Sequence, residues 1–443
     1  MSPSSGMKNF FLFLGDVIAL YASLLVMLVL RYGAGLYRQF VDIHAVPFTV
    51  IFVIWLVIFY IAGLYDLRRL RNNVDFLKTL ALATAIGAAF AVLLFYFIPA
   101  FGITPKTNLF LFLLIFIVIE TVWRRAANNI LSAGEAPNRV VLIGDGAIAE
   151  EIAATIRENP QLGYAIVKQI PEPEAYRDPA AITQALEKSG GNTIAVPRHL
   201  KKEGSFAPML YTLFGKGILV IDIAELYERV LRKVPLTDIE ETWFLENIEG
   251  AGKYYDSLKR AGEFLFAIVG GIILLPLELL IALAVRLSSR GPVIYRQTRV
   301  GQGGELFTLY KFRTMRAAEK NGWLTTDKAR ITGIGRFLRS THLDELPQFI
   351  NLVRGDVSLV GPRPDFIDFY KELERAVPYY AIRTLVKPGI TGWAQVVFPV
   401  TESAEQAKER LCYDIYYLKN RSLILDVLII LKTLKTIVTA AGR

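Results

Sequence analysis

The chain has 443 residues, of which 53% are hydrophobic and 21% are charged, and its formal net charge is +9. That much apolar surface excludes an intrinsically disordered chain, and a mean hydropathy of +0.38 argues against an ordinary soluble enzyme. The single cysteine, Cys412, excludes a disulfide framework and a multi-cysteine metal site. A membrane protein with a large water-exposed part satisfies these observations together.

Four apolar segments occupy the N-terminal part of the chain, and each approaches the roughly 20 residues that cross a bilayer as a helix. They are residues 10–30, 46–65, 80–101 and 109–123. The first segment is long and lacks a small-residue cleavage site, so it is interpreted as a retained span rather than a signal peptide. We expect a four-helix transmembrane domain over residues 1–130.

Basic residues predict how this domain is oriented. They cluster between the second and third segments and directly after the fourth: Arg68, Arg69, Arg71, Lys78, Arg124 and Arg125. Because loops rich in Lys and Arg stay in the cytoplasm, both ends of the four-helix domain should be cytoplasmic, together with everything that follows it.

Residues 137–235 alternate short apolar strands with helical segments, which predicts a small parallel α/β domain that is Rossmann-like. The predicted strands are residues 140–143, 164–170, 193–196 and 218–223. Gly144 and Gly146 follow the first strand in the pattern Gly-x-Gly-x-x-Ala, which lets a backbone approach a pyrophosphate. Near its end the second strand reads Val167-Lys168-Gln169, without an acid to hold a ribose hydroxyl. A structural tight turn is therefore favoured over a bound dinucleotide.

A fifth apolar run, residues 264–285, contains Pro276 and has basic residues on both sides. Positive charge at both ends opposes crossing, and a central proline breaks a helix. The pattern favours a re-entrant helix over residues 263–286 that enters and leaves on the cytoplasmic face, with a kinked full span as the alternative. Residues 236–257 are interpreted as a linker before it, and residues 423–440 are typical of a helix lying in the membrane interface.

The strongest chemical signal lies in the most basic part of the chain, where 25 Lys and Arg face 15 Asp and Glu after residue 285. There, adjacent Asp344 and Glu345 stand among arginines, which favour ionised carboxylates that can bind Mg²⁺ or attack phosphorus. Arg339 and Arg363 can bind phosphate oxygens in bidentate fashion, and Lys311 adds a point charge. An arbitrary Asp-Glu pair is more often a solvated salt-bridge network, but the clustered Gly-Pro-Arg turns favour a site.

Several long motifs accompany this pair in a fixed order. They begin at Gly291 (Gly-Pro-Val-Ile-Tyr-Arg-Gln), Tyr310 (Tyr-Lys-Phe-Arg), Leu343 (Leu-Asp-Glu-Leu-Pro), Gly361 (Gly-Pro-Arg-Pro) and Lys387 (Lys-Pro-Gly-Ile-Thr-Gly-Trp). With them, residues 258–443 resemble the bacterial sugar transferase family, the monotopic phosphoglycosyl transferases. These enzymes move a sugar 1-phosphate from a nucleotide diphospho-sugar to undecaprenyl phosphate. The four spans and the α/β domain are similar to the large members, which initiate exopolysaccharide, capsule or O-antigen synthesis.

The resemblance implies a role for each candidate residue. Asp344 matches the nucleophile that forms a covalent phospho-sugar intermediate, and Glu345 matches its neighbour that binds Mg²⁺. Three cations match groups that bind the substrate phosphates: Lys311, Arg339 and Arg363. Pro276 matches the proline that breaks the re-entrant helix, although Leu275 stands where the family often has serine. His342 also replaces a common serine, and a packing or surface role is expected for it.

The implied partners are a UDP-sugar, undecaprenyl phosphate and the bacterial inner (cytoplasmic) membrane, with the catalytic domain on the cytoplasmic face. No nucleic-acid-binding module is visible. The sugar, the polysaccharide pathway, any ligand of the α/β domain and the formation of a homodimer are left open by the sequence.

Two rival functions are retained. A membrane-bound NAD(P)-dependent nucleotide-sugar dehydratase or epimerase would need a Tyr-x-x-x-Lys pair, and Tyr255 with Lys259 is the candidate. That pair lies far along the chain from the glycine turn, so coincidence is favoured. A non-enzymatic nucleotide-sensing scaffold would leave Asp344 and Glu345 without a purpose.

Overall fold

The computed structural model describes residues 5–33, 39–65, 74–97, 105–133, 138–159, 162–201, 203–204, 206–239, 241–248, 253–316, 330–398 and 403–439. These residues are mostly helical, and the chain divides into two compact units, Met1–Leu231 and Arg232–Arg443. Each unit has its own apolar cores and is described by itself. The finer domain boundaries derived from the sequence stay predictions.

Long apolar helices form the first part of the first unit. They are α1 (Ser5–Tyr32), α2 (Ala45–Ala62, after a π-helical segment Gln39–His44), α3 (Val74–Phe97) and α4 (Pro105–Ala133). Aromatic rings fill the core between them, and Trp55 and Phe116 meet edge to face with their centroids 5.1 Å apart. A Cβ on Gly87 would lie 2.7 Å from the Trp55 ring. The glycine therefore makes room for the indole at the contact of α2 and α3.

In the described part of the chain, four helices are long and apolar enough to cross a membrane: Lys8–Tyr32, Ala45–Ala62, Phe76–Phe95 and Tyr254–Ser288. The first three agree with the first three predicted spans, and the chain is a membrane protein. The fourth predicted span lies in α4, which is helical throughout but is not among these four helices. Its second half carries Glu120, Arg124 and Arg125. Three arginines behind the predicted orientation lie outside the described residues: Arg68, Arg69 and Arg71.

A cluster of polar side chains is buried where α1 meets α4. Asp16, Glu120 and Arg124 are each at most 1% exposed. Asp16 pairs with Arg124 and accepts hydrogen bonds from the Tyr65 hydroxyl at 2.6 Å and from Trp123 Nε1 at 3.0 Å. Arg124 Nε also lies 3.0 Å from Glu120 Oε1. Because an unpaired charge is costly in an apolar interior, this cluster fixes the register of α1 against α4.

The remainder of the first unit is an α/β sandwich. Its elements are β1 (Asn138–Ile143), α5 (Ala147–Glu158), β2 (Tyr164–Ile170), α6 (Glu172–Arg177), α7 (Pro179–Ser189), β3 (Thr193–Val196), α8 (Arg198–Lys201), α9 (Phe206–Gly215), β4 (Leu219–Asp222) and α10 (Ile223–Leu231). All strand pairs are parallel, in the order β2-β1-β3-β4. Alternate residues of β1 enter separate cores on the two faces of the sheet. The predicted parallel strands are confirmed.

The second unit combines a long apolar helix with short strands and helices. Its elements are α11 (Glu241–Asn247), α12 (Lys253–Ser288), β5 (Ile294–Val300), β6 (Leu306–Phe312), α13 (Gly333–Thr341), α14 (Phe349–Arg354), β7 (Ser358–Val360), α15 (Ile367–Ala376), β8 (Gly389–Thr391), α16 (Trp393–Val397), α17 (Ala404–Asn420) and α18 (Leu423–Thr439). The strands β5 and β6 form an antiparallel hairpin, and β7 pairs with β8 in parallel. A 3₁₀ helix, Leu343–Gln348, connects α13 to α14.

The helix α12 passes through Pro276 without interruption. It is a single helix of 36 residues, so the predicted break of the helix at Pro276 is not observed. A proline removes one intrahelical hydrogen bond, and the apolar helix formers on both sides continue the helix through it. Only 11% of its apolar stretch is buried, which leaves most of its side chains available to lipid.

Candidate active site

The backbone at the end of α13 places the two candidate carboxylates. His342 adopts φ +57°, the left-handed conformation, and links the end of α13 at Thr341 to the start of the 3₁₀ helix at Leu343. Asp344 and Glu345 therefore lie in the first turn of that helix, which packs on β6. His342 is exposed, and its role is this change of chain direction. The packing or surface role expected of it from the sequence stays a prediction.

Glu345 forms an ion pair with Lys311 of β6. The Lys311 Nζ lies 2.5 Å from Glu345 Oε1, and both side chains are about four-fifths buried. Burial would raise the pKa of Glu345, but the positive charges of Lys311 and Arg363 outweigh it and hold that pKa below its ordinary value. The structure thus brings three predicted site residues into one electrostatic cluster.

Asp344 differs from its neighbour. Burial, followed by the negative charge of Glu345, raises the pKa of Asp344 above its ordinary value, and Lys311 offsets only part of that rise. The sequence led us to expect arginines to favour the ionised form of both carboxylates. The adjacent residues instead have opposite shifts because Lys311 contacts only one of them. Two neighbouring carboxylates with separated pKa values are typical of sites in which each has its own role.

The two candidate arginines occupy different surroundings. Arg363 is exposed and acts on Glu345 electrostatically. Arg339 lies in the last turn of α13, where its Nε donates to Thr314 Oγ1 at 2.9 Å. Within the described residues, Arg339 therefore contacts a hydroxyl rather than either carboxylate.

Close backbone packing holds the turn that carries Arg363. A Cβ on Gly389 would lie 2.0 Å from Gly361 N, and a Cβ on Gly392 would lie 2.2 Å from Gly361 O. These distances are too short for any side chain, so the glycines let β8 and the following loop pack directly against the turn. The Gly-Pro-Arg-Pro segment is thereby fixed from its neighbour as well as by its own prolines.

Among the described residues, no group of three or more His, Cys, Asp or Glu side chains converges as a metal cage would require. The protein ligands of a divalent ion near Asp344 and Glu345 would then number one or two. That number fits Mg²⁺ bound mainly by substrate phosphates.

Comparison with known proteins identifies the family. The family model described as "Bacterial sugar transferase" matches residues 254–440. The chain is 31% identical to the UDP-glucose:undecaprenyl-phosphate glucose-1-phosphate transferase of Escherichia coli (strain K12), over 72% of this chain and 71% of that protein. The chain belongs to the bacterial sugar transferase family. It is therefore an enzyme, as the motifs predicted.

The relatives of this sugar transferase include proteins named for glucose and a protein named for N-acetylgalactosamine. A Klebsiella pneumoniae protein with the same name as the E. coli one is 28% identical, over 93% of this chain and 92% of its own length. The UDP-N-acetylgalactosamine-undecaprenyl-phosphate N-acetylgalactosaminephosphotransferase of Aeromonas hydrophila is 42% identical, over 42% of this chain. That match spans 191 residues, or 45% of the Aeromonas protein.

Tyr255 and Lys259, the pair that the rival dehydratase function would need, lie in a network of polar contacts. Lys259 Nζ contacts Asp426 at 3.0 Å, the Tyr417 hydroxyl at 2.9 Å, Val360 O at 2.8 Å and the Tyr255 hydroxyl at 3.4 Å. These contacts join the start of α12 to β7, α17 and α18. The pair thus anchors α12 within the second unit, which argues against a dehydrogenase-type role.

The glycine turn of the α/β sheet has the strained geometry that its sequence suggests. Gly144 adopts φ +134°, and Gly146 is the N-cap of α5. The first acid after β2 is Glu172, at the start of α6. Glu172 Oε1 lies 3.9 Å from the position of a Cβ on Gly144, and its Oε2 lies 3.2 Å from His199 Nε2. Glu172 lies two positions after the end of β2 at Ile170, beyond the strand residues that the motif considers.

Sequence reasoning also missed two arginines that contact the Arg363 turn. Arg383 Nη2 donates to Arg363 O at 3.0 Å, and Arg299 Nη1 donates to Pro364 O at 2.9 Å. Arg299 lies two residues after the motif that begins at Gly291, but nothing in that spacing indicates which groups it contacts. Only the pairing of β5 beside the turn shows it.

Proposed function

We propose that this sugar transferase moves a sugar 1-phosphate from a UDP-sugar to undecaprenyl phosphate, releases UMP, and so initiates the synthesis of a bacterial polysaccharide. The names of the relatives support the reaction class. The observation that carries the assignment is the division between adjacent carboxylates, in which Lys311 binds Glu345 and leaves Asp344 for chemistry.

In the first step, an Asp344 carboxylate oxygen attacks the phosphorus that bears the sugar. A bond forms between that oxygen and phosphorus, and the bond to the bridging oxygen breaks, so UMP leaves with the electron pair. Arg363 and Lys311 stabilise negative charge on the phosphate oxygens during this displacement. Arg339 is assigned to the same task from its place in the motif.

In the second step, a phosphate oxygen of undecaprenyl phosphate attacks the aspartyl phospho-sugar. The bond between Asp344 and phosphorus breaks, the carboxylate is restored, and undecaprenyl diphospho-sugar is released. Separating transfer into two displacements predicts ping-pong kinetics.

Mg²⁺ fits this site as the cofactor. Glu345 is the protein group suited to hold it, because the pKa of Glu345 lies below its ordinary value and the carboxylate is charged at neutral pH. When bound, the ion would neutralise charge on the donor diphosphate.

We further infer that α12 is re-entrant and that the catalytic unit lies on the cytoplasmic face of the inner membrane. A helix of 36 residues is about 54 Å long at the usual rise, well beyond the hydrocarbon core. Basic residues precede and follow its apolar stretch, which opposes crossing. A kink at Pro276, where the proline removes one intrahelical hydrogen bond without ending the helix, would turn the chain back toward the side from which it came. The α/β sheet is assigned as a Rossmann-like domain on the same side.

Screening a panel of UDP-sugars with the full-length protein in lipid nanodiscs tests the function. We expect UMP release that requires both undecaprenyl phosphate and Mg²⁺ and that is much faster with one sugar than with the others. UMP release from no UDP-sugar in the panel would contradict the proposal.

Trapping with donor labelled in the sugar phosphate tests the nucleophile. Asp344→Asn should abolish both the labelled protein adduct and UMP release. Asp368→Asn, at an exposed position of α15, is the matched control and should behave as wild type. A labelled adduct that persists in Asp344→Asn would show that another residue is the nucleophile.

A further inference from the structure

Arg299 is a buried cation without a carboxylate partner. Its side chain is 7% exposed. Nη1 donates to Pro364 O and Nη2 donates to Gln297 Oε1, both at 2.9 Å, and Cζ lies 3.4 Å from the centre of the Phe366 ring. Its Nε is buried without a hydrogen-bond partner. Within the described residues, no acidic group forms a salt bridge with it.

Arg383 provides a comparison within the same turn. Both guanidinium groups donate to neighbouring carbonyl oxygens of this turn, those of Arg363 and Pro364. Arg383, however, forms salt bridges with both Asp365 and Asp414. The positive charge of Arg383 is therefore balanced by direct salt bridges, whereas Asp365 and Glu345 attract Arg299 only without salt-bridge contact.

The missing counter-ion has an electrostatic consequence. Burial, followed by repulsion from Arg363, lowers the pKa of Arg299 to about 10, and attraction by Asp365 and Glu345 offsets only part of that fall. Arg299 is still charged at neutral pH. Two cations that repel each other next to one exposed turn are stabilised when an anion binds beside them. Exposed Arg363 is the group that such an anion would reach.

We propose that Arg299 is a positioning residue for phosphate binding: it fixes the turn that presents Arg363 and adds a positive charge, held in no salt bridge, that favours a diphosphate there. This inference depends on the proposed function for its substrate, the nucleotide diphospho-sugar. The lipid phosphate has the same chemistry at lower charge, so the experiment has to separate the two.

Binding of UDP to the full-length protein in nanodiscs, measured by titration calorimetry, tests the charge directly. We expect Arg299→Gln, which keeps an amide donor but not the charge, to weaken UDP binding about tenfold. Arg299→Lys, which keeps the charge, should lose threefold or less. These sizes correspond to the loss and retention of one charge-assisted contact. Arg375→Gln, at an exposed position of α15, is the control and should leave binding unchanged.

Two further readouts distinguish positioning from a general structural role. The salt dependence of UDP binding should be shallower in Arg299→Gln than in wild type and unchanged in Arg299→Lys. In turnover assays the KM for the UDP-sugar should rise in Arg299→Gln, while the KM for undecaprenyl phosphate and the kcat change little. A rise confined to the lipid substrate would overturn the assignment to the donor.

Equal weakening by Gln and Lys, or unchanged UDP binding in Arg299→Gln, would overturn the inference. Wild-type protein that binds UDP in this charge-dependent way but never releases UMP would instead contradict the proposed function alone.

Discussion

Charged side chains are buried in both units of this protein, but not all of them form salt bridges. In the helical part of the first unit, Asp16, Glu120 and Arg124 are sealed at no more than 1% exposure, and Arg124 pairs with Asp16 on the neighbouring helix and with Glu120 on its own. In the second unit, Lys311 and Glu345 are partly open to solvent, and Arg299 has no acid at all in salt-bridge contact among the described residues. Charges in direct salt bridges hold helices together, whereas a buried charge without a salt bridge favours an anion that binds beside it.

The largest expected effect concerns the sealed cluster. Replacing one member of a buried ion pair leaves the other charges uncompensated, which typically costs about 3–5 kcal/mol. We therefore expect Arg124→Met to destabilise the helical part of the first unit by that amount. The measurement is the unfolding of the detergent-solubilised full-length protein in increasing SDS, followed by circular dichroism.

The neighbouring arginine supplies the control for this prediction. Arg125 is exposed on the same helix, so Arg125→Met should change stability little. The double variant Asp16→Asn/Arg124→Met should recover part of the loss, because it removes one of the two acids that the single variant leaves unpaired. Equal stability of Arg124→Met and Arg125→Met would show that the buried charge cluster does not stabilise the helices.

A smaller effect, on rate rather than stability, is expected at the open cluster. Lys311→Met should lower kcat by about 100-fold, as the loss of one preorganised charge-stabilising group usually does. Its loss of stability should be smaller than that of Arg124→Met, since about a fifth of each side chain in the Lys311–Glu345 pair is open to solvent and water can reach the charge left on Glu345. Lys371→Met, at an exposed position of α15, is the matched control. A stability loss as large as that of Arg124→Met would show that the Lys311 pair is structural.

The smallest effect is a displacement of the pH profile. Asp344 has to be ionised to attack, and its pKa is raised by burial and by Glu345 but lowered by Lys311. Adduct formation should therefore fall as the pH decreases through this raised pKa. The acidic limb should move to higher pH in Lys311→Met and to lower pH in Glu345→Gln, as followed by single-turnover labelling. A shift of the acidic limb in the same direction in both variants would contradict the division of roles between Asp344 and Glu345.

Much of the fold was predictable because its signals are local. Apolar runs indicated the long helices, and short β-branched runs between helical segments indicated the parallel strands. The continuity of α12 was not predictable from Pro276 alone, since a proline's effect depends on whether the flanking residues can continue the helix. The left-handed turn at His342 was equally hidden, because no glycine marks it.

The amino-acid sequence by itself determined the membrane character of the chain, the parallel sheet and the family to which it belongs, because each depends on periodicity or on contiguous motifs. Only the tertiary structure decided which charges meet: Lys311 with Glu345, Arg124 with Asp16, and Arg299 with no acid among the described residues. The reason is physical. Whether a charge is neutralised depends on distance and burial, and those are set by packing between segments far apart in the chain.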